Sequence, residues 1–451
     1  MQLRFLGASE TVTGSRFLLE TNDLTVLIDC GLFQGNRALR QRNWAPFPIH
    51  PHNIDAVLLT HAHIDHSGYL PALVKQGYKG LIHTTQATYE LCKIMLLDSA
   101  HLQEEDAKFA NKHGYSRHQP AQPLYTIEDA EKALDQFAPH DFNQPFALSP
   151  EFSVEFLEAG HILGAAIIRV KADSKIIVFS GDLGRPNDAI MNPPAAVDKA
   201  DYVVMESTYG DRAQEKAKDP MRELGEIINK TVERGGTVLI PSFAVGRAQT
   251  LIYFIAQLKQ KKKIPDIPVY VDSPMATNVS ALFCNNSAMH KLNPTTCARV
   301  FDSVTYTRTV EESKMLDHMT SPCIIISASG MMEGGRILHH LKYYIGNPKN
   351  TLVFTGYQAE GTRGQYLLSG GKNVRIHGSE YPVEAETAEL SNLSAHSDSK
   401  ELLSWLQHMK EPKTVFLVHG ELSSARGFAK NIDTYLGWKV VIPKHNQVVP
   451  L

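Results

Sequence analysis

Short apolar runs, many of them β-branched, recur along the first 200 residues: SRFLLETNDLTVLIDCG, IDAVLLTHAH, KGLIHTT, SVEFLEAGH, AAIIRVKA and KIIVFSGDLG. Period-two alternation bounded by turn-formers predicts strands, and so little helix between them predicts a sheet-rich sandwich. Helical patterning interrupts at SGYLPALVKQG, where Leu70, Leu73 and Val74 share a face and Gly77 closes the end, and again at 86 to 112. After about residue 210 the rhythm changes. DPMRELGEIINKTVERGG sets Met221, Leu224, Ile227, Ile228 and Val232 on one stripe, and the buried-strand pattern TVLIPSF follows. GRAQTLIYFIAQLKQ, IPVYVDS, PCIIISASG, GRILHHLKYYIG and NTLVFTGYQ continue the alternation of helix and strand, which predicts a doubly wound parallel sheet. From about 385 the pattern returns to a helix at 399 to 408 and the strand TVFLVHGE. The expected organisation is α/β: a first domain over 1–209, an inserted domain over 210–384, and a return to the first over 385–451.

Composition narrows the function classes. At 451 residues, 43% hydrophobic and 21% charged, the chain has the make-up of an ordinary globular protein with room for more than one core. Lys and Arg number 45 against 48 Asp and Glu, a formal net charge of -3, so no global positive field advertises a nucleic-acid partner and an anionic substrate must be gripped locally. The five cysteines (Cys30, Cys92, Cys284, Cys297, Cys323) are scattered and form no CxxC pair, which predicts a reducing compartment without a disulfide scaffold or thiolate zinc site. The N-terminal MQLRFLGASETVTGSRFLLE starts on strand-like alternation instead of a leader, and no apolar run approaches the ~18 residues of a membrane span. A cytoplasmic enzyme or binding protein is expected, with no membrane partner.

The chemistry concentrates in LLTHAHIDHSGYLPAL, which carries His61, His63, Asp65 and His66 where an apolar strand gives way to a helix. Loops at the carboxyl ends of strands are where such folds gather functional residues. His61 and His63, two apart in extended backbone, direct both rings to one side; Asp65 and His66, on the turn into the helix, face a second point. Imidazoles and carboxylates without thiolate suit Zn²⁺, with Mn²⁺ or Fe as alternatives. An isolated HxH is more often surface or core histidine. Here the arrangement recurs: SVEFLEAGH ends on His161, IIVFSGD on Asp182, YVVMES carries Glu206 and TVFLVHG carries His419, each closing a strand-like run. The other histidines, among them His83, His101, His339, His340 and His377, read as surface residues or as supports behind the site.

These stretches resemble a known family. THAHIDHSG is similar to the HxHxDH motif of the metallo-β-lactamase superfamily, and LIDCG, AGHILG and FSGDLG resemble its first, third and fourth motifs. MESTYG, LSAHSDS and FLVHGE resemble the A, B and C motifs of the β-CASP nucleases, while PSFAVGRAQ, DSPMA, SASGMMEGGR and TGYQAEGTRG resemble that family's inserted domain. The resemblance covers nearly the whole chain and is to the compact bacterial and archaeal RNA-cleaving members and the endonuclease of mRNA 3′-end processing. It implies a metallo-β-lactamase αββα sandwich with an inserted β-CASP domain.

Carried over by residue, the resemblance implies two Zn²⁺ ions, Mn²⁺ being the alternative. One is held by His61, His63 and His161, the other by Asp65, His66 and His419, with Asp182 bridging and Asp29 orienting ligands from behind. His396, paired with Glu206, is the expected general acid. The insert is expected to grip phosphates through Ser327, Ser329 and Gly330 of the turn in SASGMMEGG and through Arg247, Arg336 and Arg363 beside Gly-rich turns. The expected partner is single-stranded RNA, with a homodimer possible. A small-molecule metallohydrolase would use the same HxHxDH chemistry but has no need of the insert or His396. A DNA nuclease of the family carries valine at the C-motif position where this chain has His419. A non-catalytic RNA-processing subunit typically loses ligands, and none is missing from this sequence.

Overall fold

The computed structural model describes residues 1–114, 119–212, 219–356, 358, 361–390 and 393–451. They form two compact units: Met1–Ala213 with His396–Leu451, and Gln214–Ala395.

Two seven-stranded sheets build the first unit. One runs, edge to edge, Val448–Pro450, Gln2–Phe5, Phe17–Glu20, Thr25–Ile28, Ala56–Leu58, Leu81–Thr85 and Phe137–His140; the other runs Val440–Val441, Thr414–Val418, Tyr202–Glu206, Lys175–Phe179, Ala166–Ala172, Phe152–Glu158 and Phe146–Ser149. Their alternation puts Leu3, Phe5, Phe17, Val26, Ile28 and Leu58 from the first sheet against Phe156, Ile168, Ile177, Phe179, Val204 and Phe416 from the second. Phe5 meets Phe416 at 5.3 Å and Phe17 meets Phe179 at 6.3 Å between ring centroids, so aromatic side chains close the sandwich at its centre. Helices Gln86–His113 and Ile127–Leu134 belong with the first sheet, and Leu422–Leu436 with the second.

Strand direction decides where chemistry collects. Thr25–Ile28 and Ala56–Leu58 are parallel, as are Lys175–Phe179, Tyr202–Glu206 and Thr414–Val418; Phe152–Glu158 reaches the same direction through two antiparallel steps. Carboxyl ends therefore share one edge in each sheet, and the Ala166 N–H donating to the Thr60 carbonyl at 2.9 Å stitches the two edges together.

The second unit holds a six-stranded sheet in the order Thr305–Tyr306, Val269–Asp272, Ile324–Ser327, Val238–Pro241, Thr351–Phe354, Glu386–Glu389, every ladder parallel. From Val238–Pro241 the chain passes to one side, to Val269–Asp272; from the adjacent Ile324–Ser327 it passes to the other, to Thr351–Phe354. These two central strands thus flank the topological switch point, where a crevice opens at the carboxyl ends of such sheets. The return to the first unit falls at His396 and not at 385, because Glu386–Glu389, whose alternation of charged and small residues carries no apolar strand signal, pairs with Thr351–Phe354 as the sheet's edge.

Two further expectations need correction. Cys284 and Cys297 are joined in a disulfide, since the end of Pro274–Asn285 and the helix Pro294–Phe301 bring their Cα atoms to 5.6 Å; Cys30, Cys92 and Cys323 are free and buried. His83 and His340 are core residues. His83 sits on Leu81–Thr85 with Nδ1 2.9 Å from His140 Nε2, and His340 lies between two carboxylates, Nε2 at 2.6 Å from Asp272 Oδ2 and Nδ1 at 2.7 Å from Asp317 Oδ1. No helix among the described residues is long and apolar enough to cross a membrane.

Asp272 is the buried charge that this arrangement must neutralise. Its carboxylate accepts from Arg336 Nη1 at 2.6 Å, Ser313 Oγ at 2.6 Å, the Thr307 hydroxyl and His340. Burial pushes its acidity down, but the His340, Ser313, Thr307 and Arg336 donors outweigh it and hold the carboxyl below the usual range. Removing one partner from such a cluster strands the opposite charge. The Asp272→Ala variant is expected to lose about 3–5 kcal/mol of stability, read as a lower thermal midpoint, with the metal content of the first unit unchanged.

Candidate metal centre

Tight turns at the strand ends bring the predicted ligands of the first unit together. Asp65 and His66 do not sit in an open loop: they lie on a one-turn helix, Ile64–Ser67, whose start is held by the His63 carbonyl accepting from the His66 and Ser67 N–H groups at 2.9 and 2.8 Å. That turn brings the His66 ring to 4.1 Å from the His61 ring, and both face Asp182. Gly31 lets the Asp29 loop approach it, because a Cβ at that position would stand 1.6 Å from the Asp65 carbonyl oxygen. Asp29 and His419 both hold left-handed backbone, φ 57° and 47°, a conformation that costs a non-glycine residue about 1–3 kcal/mol and here turns each side chain towards the site.

Two groups of donors result, His61, His63, His161 and Asp182 in one and Asp65, His66 and His419 in the other, the donor atoms of each lying within 4.8 Å of one another. His63 Nδ1 is 3.1 Å from His61 Nε2 and 3.2 Å from His161 Nε2; His419 Nε2 is 3.2 Å from Asp65 Oδ2. Asp182 faces both groups. Its Oδ2 is 3.3 Å from His61 Nε2 and 3.5 Å from His161 Nε2, while its Oδ1 is 3.2 Å from His66 Nε2. A tetrahedral zinc with nitrogen and oxygen donors at 2.0–2.1 Å sets neighbouring donors about 3.3 Å apart, so these spacings fit such ions. Among the described residues the buried Asp182 Oδ1 makes no hydrogen bond, a need that a cation would meet.

Electrostatics divide the donors. Against burial, the Asp182 and Asp29 carboxylates push His66 well above the usual imidazole range, so that ring must give up a proton to ligate. Burial lowers the pKa of His61 to about 3 and of His63 to about 4, and drops His161 well below the usual imidazole range, so their rings are neutral and have lone pairs to give. Burial also opposes charge on Asp182, but the facing His419 and His66 rings outweigh it and hold the carboxyl well below its usual range. Asp29 works from behind: it accepts the Thr60 N–H at 2.8 Å and the Thr60 hydroxyl at 2.9 Å, and its Oδ2 stands 2.7 Å from His66 Nδ1, which leaves His66 Nε2 for the site.

His396 lies beside both groups, its Nδ1 3.0 Å from Glu206 Oε2 and 3.2 Å from Oε1, with its ring 4.6 Å from that of His161. Glu206 is fully buried and also accepts the Leu183 N–H at 2.6 Å. Burial works against a charged His396, but the Glu206 charge and hydrogen bond prevail and push its pKa to about 9. Three supporting residues escaped the sequence reading. Thr60 ties Asp29 to His61, its hydroxyl 3.0 Å from His61 Nδ1; Thr208 sets His419 from Nδ1 at 3.1 Å; and Ser15 Oγ lies 3.3 Å from His66 Nε2. Thr60 and Thr208 lie within THAHIDHSG and MESTYG, which is their only signal; Ser15 is distant in sequence and has none.

The residues expected to grip phosphate all lie in the second unit. Ser327 is buried and spends its hydroxyl on the Asp272 carbonyl at 2.9 Å; Arg336 is bound to Asp272; Arg363 Nη1 donates to the Met332 carbonyl at 2.9 Å. These three hold the turns. Ser329 and Gly330 form the turn beyond Ser327, where Gln358 Nε2 donates to the Gly330 carbonyl at 3.3 Å, and Arg247 opens helix Arg247–Gln260. Tyr357, Ala359 and Glu360 of TGYQAEGTRG lie outside the described residues.

The fold and the paired donor groups define a metal-dependent hydrolase. Residues 18–208 match the metallo-β-lactamase superfamily domain, 248–367 the Beta-Casp domain, and 380–443 the Zn-dependent metallo-hydrolase RNA specificity domain. A protein named Ribonuclease TTHA0252, from Thermus thermophilus, is 38% identical over 461 residues, covering 100% of both chains. The chain therefore belongs to the β-CASP family of the metallo-β-lactamase superfamily. Similar relatives include a transcription termination factor FttA from Methanosarcina mazei, 32% identical over 95% of this chain and 68% of its own, and an RNase J-like protein from Methanocaldococcus jannaschii, 29% identical over 100% of this chain and 99% of its own. A crystal structure of a protein of unknown function from Enterococcus faecalis V583 shares the fold, with a TM-score of 0.55 and 13% identity over 100% of this chain and 99% of its own.

Losing a carboxylate behind a metal-bound histidine typically costs 10–100-fold in metal affinity. Asp29→Ala is therefore expected to weaken retention of one metal equivalent by about that factor, measured by chelator competition. Unchanged retention would mean that Asp29 does not orient His66.

Proposed function

We propose that this protein is a zinc-dependent ribonuclease that hydrolyses phosphodiester bonds of single-stranded RNA, leaving 5′-phosphate and 3′-hydroxyl ends, with Mn²⁺ an alternative metal. The observation that carries the reading is the Asp182 carboxylate, one oxygen turned to each donor group, with the His396–Glu206 pair alongside. The RNA-specificity domain match and relatives named Ribonuclease and RNase J-like protein support RNA as the substrate.

His61, His63, His161 and Asp182 would hold one ion; Asp65, His66, His419 and Asp182 the other. When bound, such ions would supply an activated water and neutralise charge on the phosphodiester. The chain's residues do the rest. Asp182 sets the separation of the two donor groups, and Asp29 and Thr60 keep His61 and His66 in the tautomers that face inward. Glu206 holds the proton on His396 Nδ1 and favours the charged ring, so that Nε2 passes a proton to the departing 3′ oxygen. Ser329, Gly330 and Arg247 are the proposed contacts to backbone phosphates.

End-labelled single-stranded RNA and the matching DNA, incubated with zinc-loaded protein, test this reading. RNA-selective cleavage that disappears in Asp182→Ala is expected; equal cleavage of DNA, or turnover by the variant, would contradict it. His396→Ala is expected to slow cleavage by about 10²–10⁴-fold with metal content preserved. An acid must carry its proton, so the rate should hold through neutral pH and fall as pH rises past about 9. Glu206→Gln removes the charge that raises His396 and should move that alkaline limb to lower pH.

A further inference from the structure

The loop after Val238–Pro241 exposes one large apolar side chain at the switch point of the six-stranded sheet. Pro241, Ser242, Ala244 and Val245 are buried, whereas Phe243 between them is 44% exposed. Its backbone is fixed, the Phe243 carbonyl accepting from the Ser242 hydroxyl at 3.1 Å and from the Ala248 N–H at 3.2 Å. Its ring is propped as well: a Cβ on Gly330 would stand 2.9 Å from Cδ2 and 3.0 Å from Cε2. A glycine thus lets the ring lie on the backbone of the neighbouring loop. Single exposed apolar residues are ordinary on protein surfaces. A phenylalanine held from both its backbone and its ring, in the crevice where doubly wound sheets take ligands, is different. The Gly330 loop is itself pinned, its carbonyl accepting from Gln358 Nε2 at 3.3 Å, so the ring rests on a fixed backbone.

We propose that Phe243 is a stacking platform for one nucleobase of the bound single strand. The inference rests on RNA being the substrate and adds a position of base contact in the second unit. Every base has a π-face, so stacking on Phe243 grips the chain without selecting its sequence. Gly330 is then required for two reasons, the approach of the ring and the approach of the strand.

The test uses full-length, zinc-loaded His396→Ala protein, which cleaves slowly, and single-stranded RNA carrying 2-aminopurine at one position at a time. Quenching is expected at one nucleotide from the cleavage site. Adding Phe243→Leu, which keeps apolar bulk and removes the ring, is expected to abolish that quenching and weaken binding about tenfold; Phe243→Trp should retain both. The thermal midpoint should be the same in all three proteins, since the side chain is half exposed. RNA that binds equally to the Phe243→Leu protein, with no position quenched, would overturn the stacking role while leaving the ribonuclease reading intact. Failure of the parent protein to bind RNA would overturn the RNA reading and the stacking role with it.

Discussion

A fully buried carboxylate, Asp182, stands between three histidines on one side and a second histidine–aspartate group on the other, and the first unit is arranged around that charge. Isolated in a protein interior, an ionised carboxylate would be too costly to keep. Here the charge is shared among histidine nitrogens at distances suited to divalent cations. The parallel strands, whose carboxyl ends share one edge, deliver Asp29, His61, Asp182, Glu206 and His419 to that place, and Phe152–Glu158, running the same way, adds His161. The site follows from strand direction, and strand direction from a sandwich core that Phe5, Phe17, Phe179 and Phe416 close.

The second unit repeats the principle with a different outcome. Asp272 is also a carboxylate at the end of a parallel strand, equally buried, yet its donors are side chains of the protein: His340, Arg336, Ser313 and the Thr307 hydroxyl. Its lone pairs are spent, and it anchors loops. Among the described residues Asp182 Oδ1 makes no hydrogen bond, although His66 Nε2 stands 3.2 Å away. That contrast separates a structural carboxylate from one built to meet a cation.

Much of this was legible in the chain because periodicity and residue type coincided. The apolar run before His61 marked a strand, and four ligand-type residues directly after it marked a site. What was hidden depended on partners far apart in sequence. Glu386–Glu389 shows no apolar alternation and becomes a strand only by pairing with Thr351–Phe354, so the second unit extends beyond where the apolar pattern ends. Cys284 and Cys297 gave no pairing signal until two helices met. Arg336 beside Gly-rich sequence suggested phosphate binding, but a carboxylate 64 residues away claims it. Ser15 reaches His66 across 51 residues, beyond any local pattern.

Zinc-anomalous diffraction from crystals of the zinc-loaded protein would test the central claim most directly. Two peaks should appear, one among His61, His63 and His161 and the other among Asp65, His66 and His419, with Asp182 reaching both. A single peak, or two peaks that Asp182 does not join, would contradict the account.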